Sequence, residues 1–349
     1  MKKTKKFGIF NLIAMSILVL VLLGVSTLAS IKFQQNKNDI SDGPWGGKAS
    51  INGIIDVWNI DTFSGGSISK CDYLNSVARK FESANKGLYI NIVNMKAEEF
   101  ELATKANKKP VLISFGYGIG ESAFNMLKPI EVKDYKIKEE VLNSGKVNDE
   151  VFAVGYLMGA YCYFSTTEKL ESASKNNNIS LASDYRGCAY DKQLRKKVKH
   201  IYGLGFGKNT FLNPEQCIDS CEEVYESVDD YNAYVDFISL NKFTILLGTH
   251  RDFVKLQGKY ERGDISDLIV EPVQSFNNLI QYIGITNGQD ENRELYAKRF
   301  VDFLICESSQ KMLESSGMFS TLLPNIYQDE MLSKVENAVW SIKNIPRVF

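Results

Sequence analysis

The stretch Ile51-Asn52-Gly53-Ile54-Ile55-Asp56-Val57-Trp58-Asn59-Ile60-Asp61-Thr62-Phe63-Ser64-Gly65-Gly66-Ser67 decides the fold. Its β-rich apolar run, Ile54 to Trp58, stops at a polar, glycine-bearing loop over residues 59 to 67, and a helical pattern begins at once. A strand that feeds a loop and then a helix, with an aromatic and a carboxylate at the turn, places recognition groups where open α/β sheets bind their ligands. The stretch is therefore expected to form the first wall of a binding cleft.

Downstream, Ser69-Lys70-Cys71-Asp72 fits a capping-box start, and Leu74, Val77, Ala78 and Phe81 fall on one helical face until Asn85-Lys86-Gly87 ends the helix. A strand over Leu88 to Val93, a charged helix over Ala97 to Ala106 and a buried-type strand, Val111 to Phe115, complete a β-α-β-α-β order, the doubly wound signature. The third strand runs into Gly116-Tyr117-Gly118-Ile119-Gly120-Glu121. Parallel strands of one sheet send their carboxyl ends to one side, so Trp58, Asp61, Tyr117 and Glu121 are expected to line one crevice.

The run Val151 to Phe164 is too long for an ordinary strand and is expected to cross between domains, with Tyr156 and Tyr161 near the cleft; for each tyrosine an aromatic core position is the alternative. A basic helix is expected over Tyr185 to Lys199 and a further helix within Glu222 to Leu240. Tyr202 to Thr210 is no phosphate loop, because Tyr202 stands where the motif needs a glycine five residues before Gly207. Phe243 to Leu247 is a buried-type strand running into a turn and a helix. There His250-Arg251-Asp252 resembles a kinase catalytic loop only by accident, since Gln257 stands where asparagine is required. Arg251 is a cleft group or a domain-stabilising ion-pair partner. Strands over Leu268 to Val273 and Tyr282 to Ile285, an amphipathic helix over Glu294 to Leu304, a stop at Gly317-Met318-Phe319 and a last helix over Asp329 to Trp340 complete the chain.

At 349 residues the length favours about two domains, and 44% hydrophobic with 24% charged residues is ordinary globular composition. The formal net charge is −1, with four lysines and no acid in the first thirty residues, so the remainder is mildly acidic and gives no support for nucleic-acid binding. Six cysteines permit disulfides after export without revealing a pairing. Cys217 and Cys221 share one helical face but lack companion ligands, so neither a metal nor a cofactor is expected.

Lys2, Lys3, Lys5 and Lys6 precede an apolar run, Phe7 to Leu28, of about 22 residues, roughly 33 Å as a helix. Residues 1–30 form a signal peptide or membrane anchor, and residues 31–49 form a tether in which Trp45 needs no role. Charge before the span keeps the N-terminus cytoplasmic and puts the rest on the extracellular face, secreted or N-terminally anchored.

Several of these pieces, in order, resemble the extracellular solute-binding proteins of ABC importers, above all the carbohydrate-binding family. They are Val57-Trp58 with its polar loop, the helix end Phe81 to Gly87, Leu112 to Gly116, Leu247 to Arg251, Ile283-Gly284-Ile285, and Tyr296 to Leu304 leading to Gln310 and Gly317-Met318-Phe319. The resemblance implies an α/β, periplasmic-binding-protein-like type II fold: two doubly wound lobes joined by a hinge that closes on ligand. Lobe one would take residues 50–152 plus 273–320, and lobe two 153–272 plus 321–349. The chain departs from the family in three ways: no lipobox cysteine precedes Cys71, which argues against lipid anchoring; Val111 stands where many members have aspartate; and Gly155 replaces a common proline.

The implied function is capture of a small polar solute, a sugar or oligosaccharide, for delivery to ABC permease subunits, with the membrane met through the N-terminal segment. Trp58, Tyr117, Tyr156 and Tyr282 are the stacking candidates, and Asp61, Glu121 and Arg251 the polar ones. A membrane-tethered sensor or envelope protein of the same fold is the alternative. A glycan-acting enzyme is weaker: paired carboxylates cannot be recognised without their separation, and no G-x-S-x-G, HExxH or histidine triad is present, so no catalytic residue is named.

Overall fold

The computed structural model describes residues 53–131, 136–177, 189–191, 196–198, 204–207, 226–228 and 230–349, with side chains described outside 173–231. The export segment, the tether with Trp45 and the Cys217–Cys221 pair lie outside these residues. Among the described residues no helix is long and apolar enough to cross a membrane.

Two mixed sheets carry the fold. The first begins with β1 (Gly53–Ile60), β2 (Leu88–Met95) and β3 (Leu112–Gly116), all parallel, with β1 between the other two. Between them run helices α1 (Lys70–Ala84) and α2 (Ala97–Lys105), so the β-α-β-α-β order holds. Helix α1 starts on the expected reciprocal cap: Asp72 N donates to Ser69 Oγ at 3.0 Å, and Ser69 N donates to Asp72 Oδ2 at 3.4 Å. The expected apolar face is buried, and Phe81 meets Phe300 edge-on at 5.3 Å, joining α1 to the helix Glu291–Leu304.

The long aromatic run after Glu150 divides at Gly159-Ala160. Its first half, β4 (Val154–Met158), lies in the first sheet, and its second, β5 (Tyr161–Ser165), in the other. The second sheet adds β6 (Leu204–Gly207), β7 (Glu226–Val228), β8 (Ile245–Thr249) and β9 (Ile269–Pro272). The chain then returns through β10 (Ile280–Ile285) and β11 (Phe319–Ser320) to the first. The strand orders are β11-β4-β10-β3-β1-β2 and β7-β6-β8-β5-β9. In each, a parallel triplet is flanked by antiparallel strands that arrive from a crossover.

Three expectations change. Within 185–199 the described residues pair as an antiparallel ladder, Ala189–Asp191 with Lys196–Val198, in place of a helix. Within 222–240 a strand, β7, precedes a helix limited to Asp230–Ile238. Cross-strand partners override local helix preference in both places. The third concerns the chain end. The helix Glu330–Ser341 packs on β9, with Lys334 Nζ donating to Val270 O at 2.9 Å, but the residues after it leave that sheet: Val348 N donates to Ser144 O, and the Phe349 ring packs 6.0 Å from Phe115 of β3.

Candidate functional site

The carboxyl ends of β1 and β3 face the loop 61–69 and, across it, the start of helix α3 (His250–Glu261), which continues β8. Gly66 is a glycine because its backbone lies against the 316–317 turn. A Cβ there would stand 2.0 Å from Ser316 O, and Ser67 N donates to that same carbonyl at 2.7 Å. The loop is thereby held in place, and Arg251 Nη1 donates to Gly66 O. One hydrogen bond thus joins the loop after β1 to the helix after β8, elements of different sheets.

A polar ribbon crosses the first sheet beneath this loop. Asn59 Nδ2 donates to Asn94 Oδ1 at 2.6 Å, and Asn94 Nδ2 donates to Asp61 Oδ2 at 2.8 Å. Ser114 Oγ donates to Asn59 Oδ1 at 2.9 Å and lies 2.9 Å from the Tyr156 hydroxyl. Gln281 Nε2 donates to Ile60 O and Ser114 Oγ. Partners matched across β1, β3 and β4 let the buried Asn59 amide and the Ser114 and Tyr156 hydroxyls satisfy one another, with the exposed Asn94 extending the ribbon onto β2.

Above the ribbon the pattern reverses. Lys70, the first residue of α1, is buried with its Nζ 3.7 Å from the Phe63 ring centroid and 3.7 Å from Asp61 Oδ1, an ion-pair neighbour too distant to accept a hydrogen bond. Burial lowers its pKa from 10.5 to about 7, with Asp61 opposing the shift. Edge-on to Phe63, at 6.2 Å between ring centroids, lies His250, fully buried. Its Nδ1 accepts from Ala160 N at 3.2 Å, so the neutral ring carries its proton on Nε2, and Nε2 has no partner among the described residues. Burial lowers the His250 pKa to about 4. Thr62 Oγ1 and Gln281 Oε1 are also buried and unpartnered among the described residues.

Three of the seven expected site residues are interior. Trp58 packs edge-on at 6.2 Å against Phe100 of α2; Tyr156 stacks on Tyr73 with its hydroxyl at Ser114; Tyr282 lies beside Phe115 with its hydroxyl 2.7 Å from Ser144 Oγ. The burial has one physical cause: each side chain stands on a covered strand face, where the ring is taken up in packing. Tyr161 is buried likewise, donating to Asn278 Oδ1 at 2.6 Å. The other four residues stand at the carboxyl ends: Asp61 exposed after β1, Tyr117 half-buried and Glu121 exposed after β3, and Arg251 half-buried at the start of α3.

Sequence reasoning missed Phe63, Lys70 and His250. A signal for Lys70 was present. It precedes Tyr73, Leu74 and Val77 by three, four and seven residues, which puts a lysine on the apolar stripe of α1. His250 carried a weaker one, as one of two histidines in the chain, at a strand end.

No protein-family model and no curated protein matches the chain. Solved structures do. The sugar-binding protein MalE from Xanthomonas citri aligns with a TM-score of 0.59 at 12% identity, over 85% of this chain and 88% of that one. The GacH receptor of Streptomyces glaucescens, solved unliganded and with acarbose, aligns at 0.58 and 15%, over 85% and 88%. The extracellular solute-binding protein from Staphylococcus aureus, solved with maltose, aligns at 0.54 and 12%, over 85% and 88%. The chain has the two-lobed periplasmic-binding-protein-like fold. The chain passes between the two sheets at Gly159-Ala160 and again between β9 and β10, and the loop 61–69 meets the start of α3 through the Arg251–Gly66 hydrogen bond.

Proposed function

We propose that the protein is the extracellular solute-binding component of an ABC importer, which captures a sugar or oligosaccharide between its lobes and delivers it to permease subunits. The observation that carries the reading is the alignment of most of the chain with proteins described as binding maltose or acarbose, combined with recognition groups at the carboxyl ends of β1, β3 and β8. Open α/β sheets bind ligands there. Lobe one takes residues 50–152 and 273–320, and lobe two takes 153–272 and the helix Glu330–Ser341.

Asp61, Tyr117, Glu121 and Arg251 are the ligand-facing groups: Tyr117 supplies an aromatic face for C–H stacking, and the charged groups bind hydroxyls. Trp58, Tyr156 and Tyr282 shape the floor without touching ligand. Closure brings Arg251 over the loop after β1, and ligand shifts the hinge equilibrium by its higher affinity for the closed state. The first thirty residues direct export and hold the body at the outer face of the membrane.

The test is a thermal-shift and calorimetric screen of the purified protein against mono- and oligosaccharides, peptides and phosphorylated solutes, since a ligand that binds only the native state raises its stability. Stabilisation by a saccharide without turnover is expected. Stabilisation by none, or cleavage of a glycan, sinks the proposal.

A further inference from the structure

Lys70 and His250 are an unusual pair, because each buries a hydrogen-bond donor with nothing among the described residues to accept it. They come from different elements, the start of α1 and the start of α3, and both lie against one ring, Phe63. An ammonium kept from water without a partner is costly, and a structure keeps such a group where something else completes it. The acceptors nearby do not. Asp61 is 3.7 Å from Nζ and is engaged by Asn94, while Asp252 accepts from Thr249 N within the cap of α3 and pairs with Lys255. The surplus is of donors and of positive charge, since Arg251 stands one residue beyond His250.

Resting on the solute-binding reading above, we propose that the ligand of this protein is an acidic saccharide, whose carboxylate seats on Lys70 Nζ in place of the Phe63 ring. The ring is the right shape of stand-in: its π face satisfies an ammonium partially, as a cation–π contact at 3.7 Å, and a carboxylate satisfies it fully. Phe63 lies between exposed Ser64 and the end of β1, on a loop with Gly65 and Gly66, so the ring can be displaced without unfolding a strand or helix. The neutral maltodextrin-type ligands of the solved relatives ask for no such buried cation.

The experiment is calorimetry on the purified protein with trimers of galacturonate and of glucuronate, each beside its methyl ester, and with maltotriose. An acid that binds at least about tenfold more tightly than its ester, with that gap lost in Lys70→Met, is the expected result. The acid, unlike the ester, also takes up a proton near pH 8, read from the buffer dependence of the heat, because the carboxylate holds Lys70 protonated. This second readout uses the unsubstituted chain and stands even if Lys70→Met fails to fold. An ester or maltotriose that binds as tightly as the acid overturns the acidic ligand and leaves the sugar-binding reading standing. Absence of proton uptake removes Lys70 from the site. Binding of no saccharide at all overturns both.

Discussion

Two polar clusters share Asp61 at the end of β1, and they differ in whether their hydrogen bonds close. The ribbon Asn94–Asn59–Ser114–Tyr156 is closed: each member gives to or accepts from the next at 2.6 to 2.9 Å. The Lys70–Phe63–His250 group is open: an ammonium lies over an aromatic ring, and the imidazole beside that ring has an Nε2 with no partner among the described residues. A closed buried network defines one arrangement of the strands, whereas an open one stores unfavourable energy that a ligand can release. The first cluster therefore fixes the fold, and the second is the one that the proposed ligand would complete.

The largest effect that separates them comes from the closed side. Trp58→Ala removes a ring buried against Phe100 and is expected to lower unfolding free energy by about 3–5 kcal/mol in urea titration, while the folded fraction keeps its saccharide affinity. A loss of affinity at unchanged stability would return Trp58 to the ligand site.

The open cluster shows itself next, through pH. Lys70 titrates near 7 in the folded chain and near 10.5 unfolded, so between those values the unfolded state binds more protons. Stability then rises with pH across this window, and what is present above the unfolded pKa is lost as pH falls through the folded one. The slope is up to about 1.4 kcal/mol per pH unit, or about 2 kcal/mol over two units. His250, depressed to about 4, adds the same sign in the acid range, between about 4 and 6.5. Lys70→Met should flatten the upper window, measured by chemical denaturation at successive pH values, with Asp61, His250 and Arg251 left in place. An unchanged slope would mean that Lys70 titrates normally. Smaller again is Tyr156→Phe, expected to cost about 1 kcal/mol for the lost hydroxyl, because Ser114 keeps Asn59 and Gln281 as partners.

The sequence displayed the closed cluster's scaffold more readily than its role. The β-α-β-α-β order and the Ser69–Asp72 cap follow from periodicity and cap chemistry, which are local, and the excess length of Val151 to Phe164 marked it as a crossover, though its division into two strands was not read. Whether Tyr156 or Tyr282 faces a crevice or a helix is decided by what packs on the strand, and neighbours such as Tyr73 and Ser144 lie far away in the chain. An aromatic at a strand end has the same local pattern in either case. Lys70 shows the converse: its placement on an apolar stripe was visible, but its cap position at the helix start offered a sufficient local explanation. The ladder at 189–198 escaped for the same reason as the tyrosines, since cross-strand pairing is non-local.

Arg251 bridges the loop after β1 and the helix after β8, and it gives the smallest stability effect with the most specific readout. Its guanidinium reaches the buried carbonyl of Gly66, on a loop that is itself pinned to the 316–317 turn, so the contact closes the span between the two sheets. Removing it by Arg251→Ala leaves the cap of α3 intact, because that cap is made by the Thr249 hydroxyl and the Asp252 carboxylate. Neither sheet loses a packed side chain. Unfolding free energy should therefore change by less than about 1 kcal/mol, the range of a half-exposed charged hydrogen bond. The hinge is a different matter, since states a few kcal/mol apart shift population on the loss of one such contact. The variant is expected to show a larger radius of gyration by small-angle scattering without ligand, and to recover the compact value at saturating saccharide with an affinity lowered about threefold to tenfold. An unchanged radius would reduce Arg251 to a structural tie and leave closure to the ligand alone.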